Sequence, residues 1–121
     1  MDFRKCKAWQ KADDLALAVY VATNRFPKDE VYGLTSQMRR AAVSVAANIA
    51  EGSGRESTKD YLRFLYVARG SQRELEYYIH LTQRLGYLPE PTSLELCSAL
   101  GEAAATLHGL IAHWQRKDRG A

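Results

Sequence analysis

Apolar residues recur along this chain at alternating steps of three and four, the period that keeps one face of an α-helix turned toward a neighbour. The first such run predicts a helix over residues 7–24, with Trp9, Ala12, Ala16, Val19, Thr23 and Phe26 on one stripe. Pro27 then blocks a straight continuation. A second helix is expected over residues 33–51. A third starts cleanly: Ser57 supplies an N-cap hydroxyl and Asp60 a carboxylate for the first turn. It should run to Leu85, with Gly86 as the C′ residue, and be about 45 Å long. One stripe on it reads Tyr61, Leu65, Ala68, Gln72, Leu75, Ile79, Thr82, and a second reads Phe64, Val67, Ser71, Glu74, Tyr78, Leu81, Leu85. A fourth helix is expected over residues 92–116, with Ser93, Cys97, Leu100, Ala104, Leu107, Ile111 and Trp114 facing inward.

The breaks between these runs are Phe26-Pro27-Lys28-Asp29-Glu30, Gly52-Ser53-Gly54 and Gly86-Tyr87-Leu88-Pro89-Glu90-Pro91. Strand signals are nearly absent. Connections this short make sequential helices antiparallel neighbours, so the pattern predicts an all-α, up-down-up-down four-helix bundle forming one domain over residues 1–121.

The second half of the second helix departs from the amphipathic rule. From Ala41 to Ala50 it reads Ala-Ala-Val-Ser-Val-Ala-Ala-Asn-Ile-Ala, with no charge on any face. A helix that is apolar all round must be covered all round. Three partner helices leave part of it facing water, so a second copy of the chain is expected to cover the rest. The double stripe of the third helix points to the same second contact surface. Ser44 and Asn48 lie one turn apart on the uncharged stretch, and a buried Asn needs hydrogen-bond partners.

Composition narrows the class. The 121 residues are 46% hydrophobic and 26% charged, globular values for one domain that buries roughly 65% of its unfolded surface. The start, Met1-Asp2-Phe3-Arg4-Lys5-Cys6-Lys7, is charged rather than apolar, and no apolar run reaches the roughly 20 residues of a membrane helix. Cys6 and Cys97 have no metal-ligand spacing and read as free thiols, so a soluble protein of the reducing cytoplasm is expected. The net charge of +3 permits a polyanionic partner without demanding one.

Catalytic patterns fail one by one. A di-iron bundle needs Glu-x-x-His on two helices, but Tyr77 follows Glu74 at that spacing, Ile79 follows Glu76, and Ala105 follows Glu102. Glu76 and His80 can meet at i, i+4, yet two ligands make no site. His108 and His113 point in different directions and share no signature with a nucleophile. Glu51-Gly52-Ser53-Gly54-Arg55 has the glycines of a phosphate loop without its preceding strand or its lysine, so the glycines read as a helix exit. No enzyme and no cofactor are expected.

The basic residues carry the remaining signal. Arg39 and Arg40 sit near the start of the second helix; Arg55, Lys59 and Arg63 follow at steps of four, and Arg69 and Arg73 continue along the third. Such a row can hold phosphates through charge and counterion release without reading bases. The plainer reading is a solvated face, with Glu56, Asp60 and Glu76 at hand for local pairs. Symmetric assembly would multiply the row around a ring. Arg39, Arg40, Arg55, Lys59, Arg63 and Arg73 are therefore the candidate phosphate contacts.

Several landmarks also form a family pattern. They are Trp9-Gln10-Lys11-Ala12, Phe26-Pro27-Lys28-Asp29-Glu30, Tyr32-Gly33-Leu34, Gln37-Met38-Arg39-Arg40-Ala41-Ala42-Val43-Ser44-Val45 and Asn48-Ile49-Ala50-Glu51-Gly52 with Gly54-Arg55. Phe64-Leu65, Gly70-Ser71, Glu74-Leu75-Glu76 and Leu85-Gly86-Tyr87-Leu88 complete it. In these the chain resembles the bacterial four-helix-bundle proteins related to the 23S rRNA intervening-sequence proteins, themselves similar to the accessory variability-determinant proteins of diversity-generating retroelements. Ala46 departs from the pattern, standing where the family often carries proline. The resemblance implies a homopentameric ring around a central channel. Its functional implication is a non-enzymatic, homo-oligomeric scaffold contacting RNA or DNA through a basic surface. The alternative is a protein-interaction module that docks a partner such as a reverse transcriptase. An enzyme or ligand carrier with a site at subunit junctions is the third class, and it would need converging polar groups or a metal.

Overall fold

A computed structural model describes residues 2–120 as four helices: α1 (Lys7–Thr23), α2 (Leu34–Ser53), α3 (Thr58–Arg84) and α4 (Glu90–Gly120). Short 3-10 turns at Phe3–Lys5 and Lys28–Glu30 precede α1 and α2. Each helix packs on its two neighbours in a closed square, α1 on α2 and α4, and α3 on α2 and α4, with α2–α3 the most extensive pair. No strand occurs among the described residues.

Local chemistry explains the boundaries. Ser57 caps α3 through its hydroxyl, which accepts from the Asp60 amide at 3.1 Å. Gly86 ends that helix in the left-handed region, at φ 78°. The Tyr87 and Gly86 amides then donate back to the Thr82 and Gln83 carbonyls, at 2.9 and 3.0 Å. Helix α4 begins two residues earlier than its apolar pattern suggests. Pro91 lies in its first turn, where the missing N–H costs no helical bond. It also extends to Gly120, past the expected end at 116.

The core forms two clusters along the bundle. At one end Leu15, Val19, Phe26, Met38, Leu75, Ile79 and Leu96 pack together, closed off by Leu88. At the other Val45, Ile49, Tyr61, Leu65, Leu107 and Ile111 meet Ala8 and Ala12. The first α3 stripe is buried at all seven positions. The α4 stripe is corrected by one residue at two points: Leu96 and Ala103 are buried, whereas Cys97 is exposed and Ala104 half-buried. Positions 96 and 97 both fit between 93 and 100; the larger aliphatic side chain takes the interior, and 103 follows its phase. Leu15 joins Val19 in α1, while Trp9 and Ala16 sit at the margin.

The loops are tied as well. Tyr87 packs against Phe26 with the rings tilted and their centres 5.4 Å apart, and donates its hydroxyl to Glu30 Oε2 at 2.9 Å, joining the α3–α4 and α1–α2 connections. That bond to Glu30, with some burial, raises the Tyr87 pKa above the usual tyrosine value. Among the described residues, the buried side-chain oxygens Tyr61 Oη and Gln72 Oε1 lack a hydrogen-bond partner. Burial, reinforced by nearby Cys6, pushes the Tyr61 phenol up to about 12.

Candidate nucleic-acid interface

The six candidate cations fall into three settings. Arg39 is committed to the fold. Its Nε donates to Thr23 Oγ1 at 2.9 Å, its Nη2 donates to Asn24 Oδ1 at 3.1 Å, and its guanidinium lies 4.6 Å from the Tyr20 ring centre. These contacts clamp the end of α1 to the start of α2. Arg40 and Arg55 stand on α2 and just beyond it, far apart along that helix. Arg40 is exposed at the rim of an α2–α3 groove whose floor holds Ser44, Ser71 and Tyr78. Arg55 pairs with Glu51 at 3.0 Å and lies 4.6 Å over Phe64, at the α2–α3 turn.

Lys59, Arg63 and Arg73 share α3, and here the geometry adds what the linear reading did not. Starting at Lys59 and stepping by four and three, the residues are Lys59, Arg63, Tyr66, Gly70, Arg73, Tyr77, His80 and Arg84, all exposed. From Lys59 to His80, each stands two positions before a core residue, about 200° around the helix from it. The stripe is therefore the outer surface of α3, about 38 Å long. No carboxylate falls on it, although the same helix carries Asp60, Glu74 and Glu76 on its flanks.

Local ion pairs on this surface are few and exposed. Arg63 holds Asp60 at 2.8 Å, and Arg73 reaches Glu76 only at 3.7 Å. Pairs this exposed contribute little and yield readily to a competing anion. Among the described residues, Lys59, Arg84 and Arg40 have no carboxylate within ion-pair distance. Tyr66, Tyr77 and Arg84 were not singled out from the sequence. Their signal is the same three-four spacing, carried by polar and aromatic side chains and so not marked by an apolar pattern.

The second α3 stripe instead faces the α2 flank. Ser71 Oγ meets Ser44 Oγ at 2.7 Å, and Asn48 Nδ2 donates to the Ser44 carbonyl and hydroxyl at 2.8 and 3.0 Å. Asn48 thus has its partners inside one chain. Val43, Ala47 and Val67 nevertheless remain exposed around this seam. On the opposite side, Leu17 and Val21 are 68% and 63% exposed and edge an α1–α4 groove of about 530 Å³.

Among the described residues no three His, Cys, Asp or Glu side chains come together in a way that could hold a metal ion. Nor is any helix among the described residues long and apolar enough to cross a membrane.

The comparison with known families decides the lineage. The model of the 23S rRNA-intervening sequence protein family matches residues 4–109. The chain belongs to that family. The fold of this family member also matches a crystal structure of a protein of unknown function from the S23 ribosomal protein family of Bacteroides thetaiotaomicron. The TM-score is 0.78 at 22% identity, covering 87% of this chain and 95% of the other. That likeness covers most of the chain and speaks for the fold alone. No curated protein matches the chain.

Proposed function

We propose that this family member is a non-enzymatic scaffold of the cytoplasm that assembles with copies of itself and holds RNA or DNA without sequence preference. One observation carries the reading: of eight successive stripe positions on the outer surface of α3, six are cations or tyrosines, the other two are Gly70 and His80, and none is a carboxylate. Lys59, Arg63, Arg73 and Arg84 supply the phosphate contacts, with Arg40 and Arg55 flanking them on the α2 side. Arg39 is left to its structural clamp.

Self-association rests on the uncharged stretch of α2. Packing within one chain leaves Val43 and Ala47 uncovered there, beside exposed Val67 of α3. A second copy covering this seam removes apolar surface from water and repeats the α3 stripe around the assembly. Light scattering on a sizing column should give a mass near five times the 13.6 kDa of one chain. A mass of one chain would remove this part of the reading.

Binding is tested by fluorescence anisotropy with a labelled oligonucleotide across a salt series. If four cations engage a single strand, log K falls against log salt with a slope of about −2.8. Arg63→Glu with Arg73→Glu should abolish the binding. Affinity unchanged by these reversals would assign the surface elsewhere. A protein-docking role is favoured by a different feature, the exposed apolar side chains of Leu17 and Val21 at the edge of an α1–α4 groove that also holds Asp14, Arg25 and Glu95. It predicts that a partner such as a reverse transcriptase is captured by the wild type and not by Leu17→Asp.

A further inference from the structure

The α3 stripe is more than a row of charge. Tyr66 and Tyr77 are 41% and 57% exposed, on a helix face where neither ring fills the core. They are eleven residues apart, close to three full turns, so both rings leave the same side of α3 about 16 Å from each other. Cations bracket them in order: Lys59 and Arg63 before Tyr66, Arg73 between the rings, Arg84 beyond Tyr77. Tyr66 is braced, since its hydroxyl accepts from Gln115 Nε2 at 3.1 Å and the Arg69 guanidinium lies 5.1 Å from its ring centre.

We propose that this surface takes single-stranded nucleic acid, with bases stacked on the rings of Tyr66 and Tyr77 and the phosphates carried by Lys59, Arg63, Arg73 and Arg84. This rests on the nucleic-acid reading above and adds the substrate class to it. Two physical points favour a single strand over a duplex. Helix α3 is flanked along its length by α2 and α4. It therefore cannot enter a major groove only about 12 Å wide, and a straight ridge meets a cylindrical duplex over a short segment. A flexible strand can follow all of a stripe about 38 Å long, or roughly eleven nucleotides at stacked spacing. Duplex bases are also already stacked on each other and offer the tyrosines no free face. An unpaired base does, and aromatic stacking of this kind tolerates any sequence.

The test uses the full chain in its native assembly, with labelled oligo-U, oligo-dT and a duplex of about 12 nucleotides each. Single strands should bind about tenfold tighter than duplex. Tyr66→Ala with Tyr77→Ala should weaken single-strand binding by roughly thirtyfold or more and leave duplex binding unchanged. Tyr66→Phe with Tyr77→Phe keeps the rings and should keep the affinity. Far-UV circular dichroism of each variant checks that these exposed substitutions leave the helices intact. The two DNA and RNA probes separate the sources: equal affinity means the 2′-hydroxyl is not read. If the wild type binds strands and duplex alike and the alanine pair changes nothing, the stacking inference is overturned while the charge-based reading stands. If the wild type binds no nucleic acid at low salt, both fall together. Competition by poly-glutamate as effective as by oligo-U would overturn it too, marking a general polyanion surface.

Discussion

Gly52 lies where the α2 backbone packs tightly against Tyr61 and Phe64 of α3, and adding one methyl group there should destabilise the fold. A Cβ at this position would stand 2.8 Å from Phe64 Cβ and 2.8 Å from Tyr61 Cδ1, against a normal carbon–carbon contact of about 3.5–4.0 Å. Phe64 Cβ is fixed to the α3 backbone and cannot rotate aside. Relief therefore requires the helices to part by most of an ångström, or the Tyr61 ring to leave its place against Trp114. Overpacking of this kind costs about 1–3 kcal/mol. Replacing glycine by alanine in a helix returns up to about 1 kcal/mol, and less here because Gly52 sits in the last turn of α2. The net expectation for Gly52→Ala is a loss of about 1–2 kcal/mol. Gly101→Ala is the matched control: nothing lies within 4 Å of its Cβ, and it sits inside α4, so propensity alone should stabilise by about 0.5–1 kcal/mol. Urea unfolding followed by circular dichroism, at one fixed protomer concentration, reads both. With a urea slope of about 2 kcal/mol/M, the Gly52→Ala midpoint falls by about 0.5–1 M and the Gly101→Ala midpoint rises. A Gly52→Ala midpoint at or above the wild-type value would refute the close-approach argument.

Two further outcomes follow from single side chains. Tyr61→Phe removes a buried hydroxyl that has no partner, so stability near neutral pH should be unchanged or slightly higher. The folded-state pKa of Tyr61 lies near 12 and the unfolded value near 10, so the folded state holds its proton longer. That contribution is complete below pH 10 and is lost as pH rises toward 12; the phenylalanine variant should lose stability less steeply across this window in pH-dependent urea melts. Arg39→Ala should cost about 1–2 kcal/mol by freeing the end of α1 from α2 while leaving oligonucleotide affinity nearly unchanged. Arg39→Lys should rescue little, because a single ammonium cannot reach Thr23 and Asn24 together. A large affinity loss with intact stability would instead return Arg39 to the interface.

The pattern along the chain is enough to give the number of helices, the breaks between them and the interior of α3, though not both ends of α4. Proline and glycine punctuate the chain at fixed points, and a side chain such as Leu75 or Ile79 has only one apolar face to join. The same periodicity holds the outer stripe of α3, legible two positions before each residue of the buried stripe Tyr61, Leu65, Ala68, Gln72, Leu75, Ile79 and Thr82. Tertiary structure decided what pattern alone leaves degenerate. Cys97 and Leu96 fit one helical phase equally well until the neighbouring helices make room for the larger side chain. Arg39 and Arg63 look alike in a list of cations. Only the approach of α1 to α2 gives Arg39 the side-chain oxygens of Thr23 and Asn24 and the Tyr20 carbonyl, whereas Arg63 stays on an outer surface where its pair with Asp60 competes with water. A cation's function depends on what surrounds it in space, and charge along the chain carries no record of that.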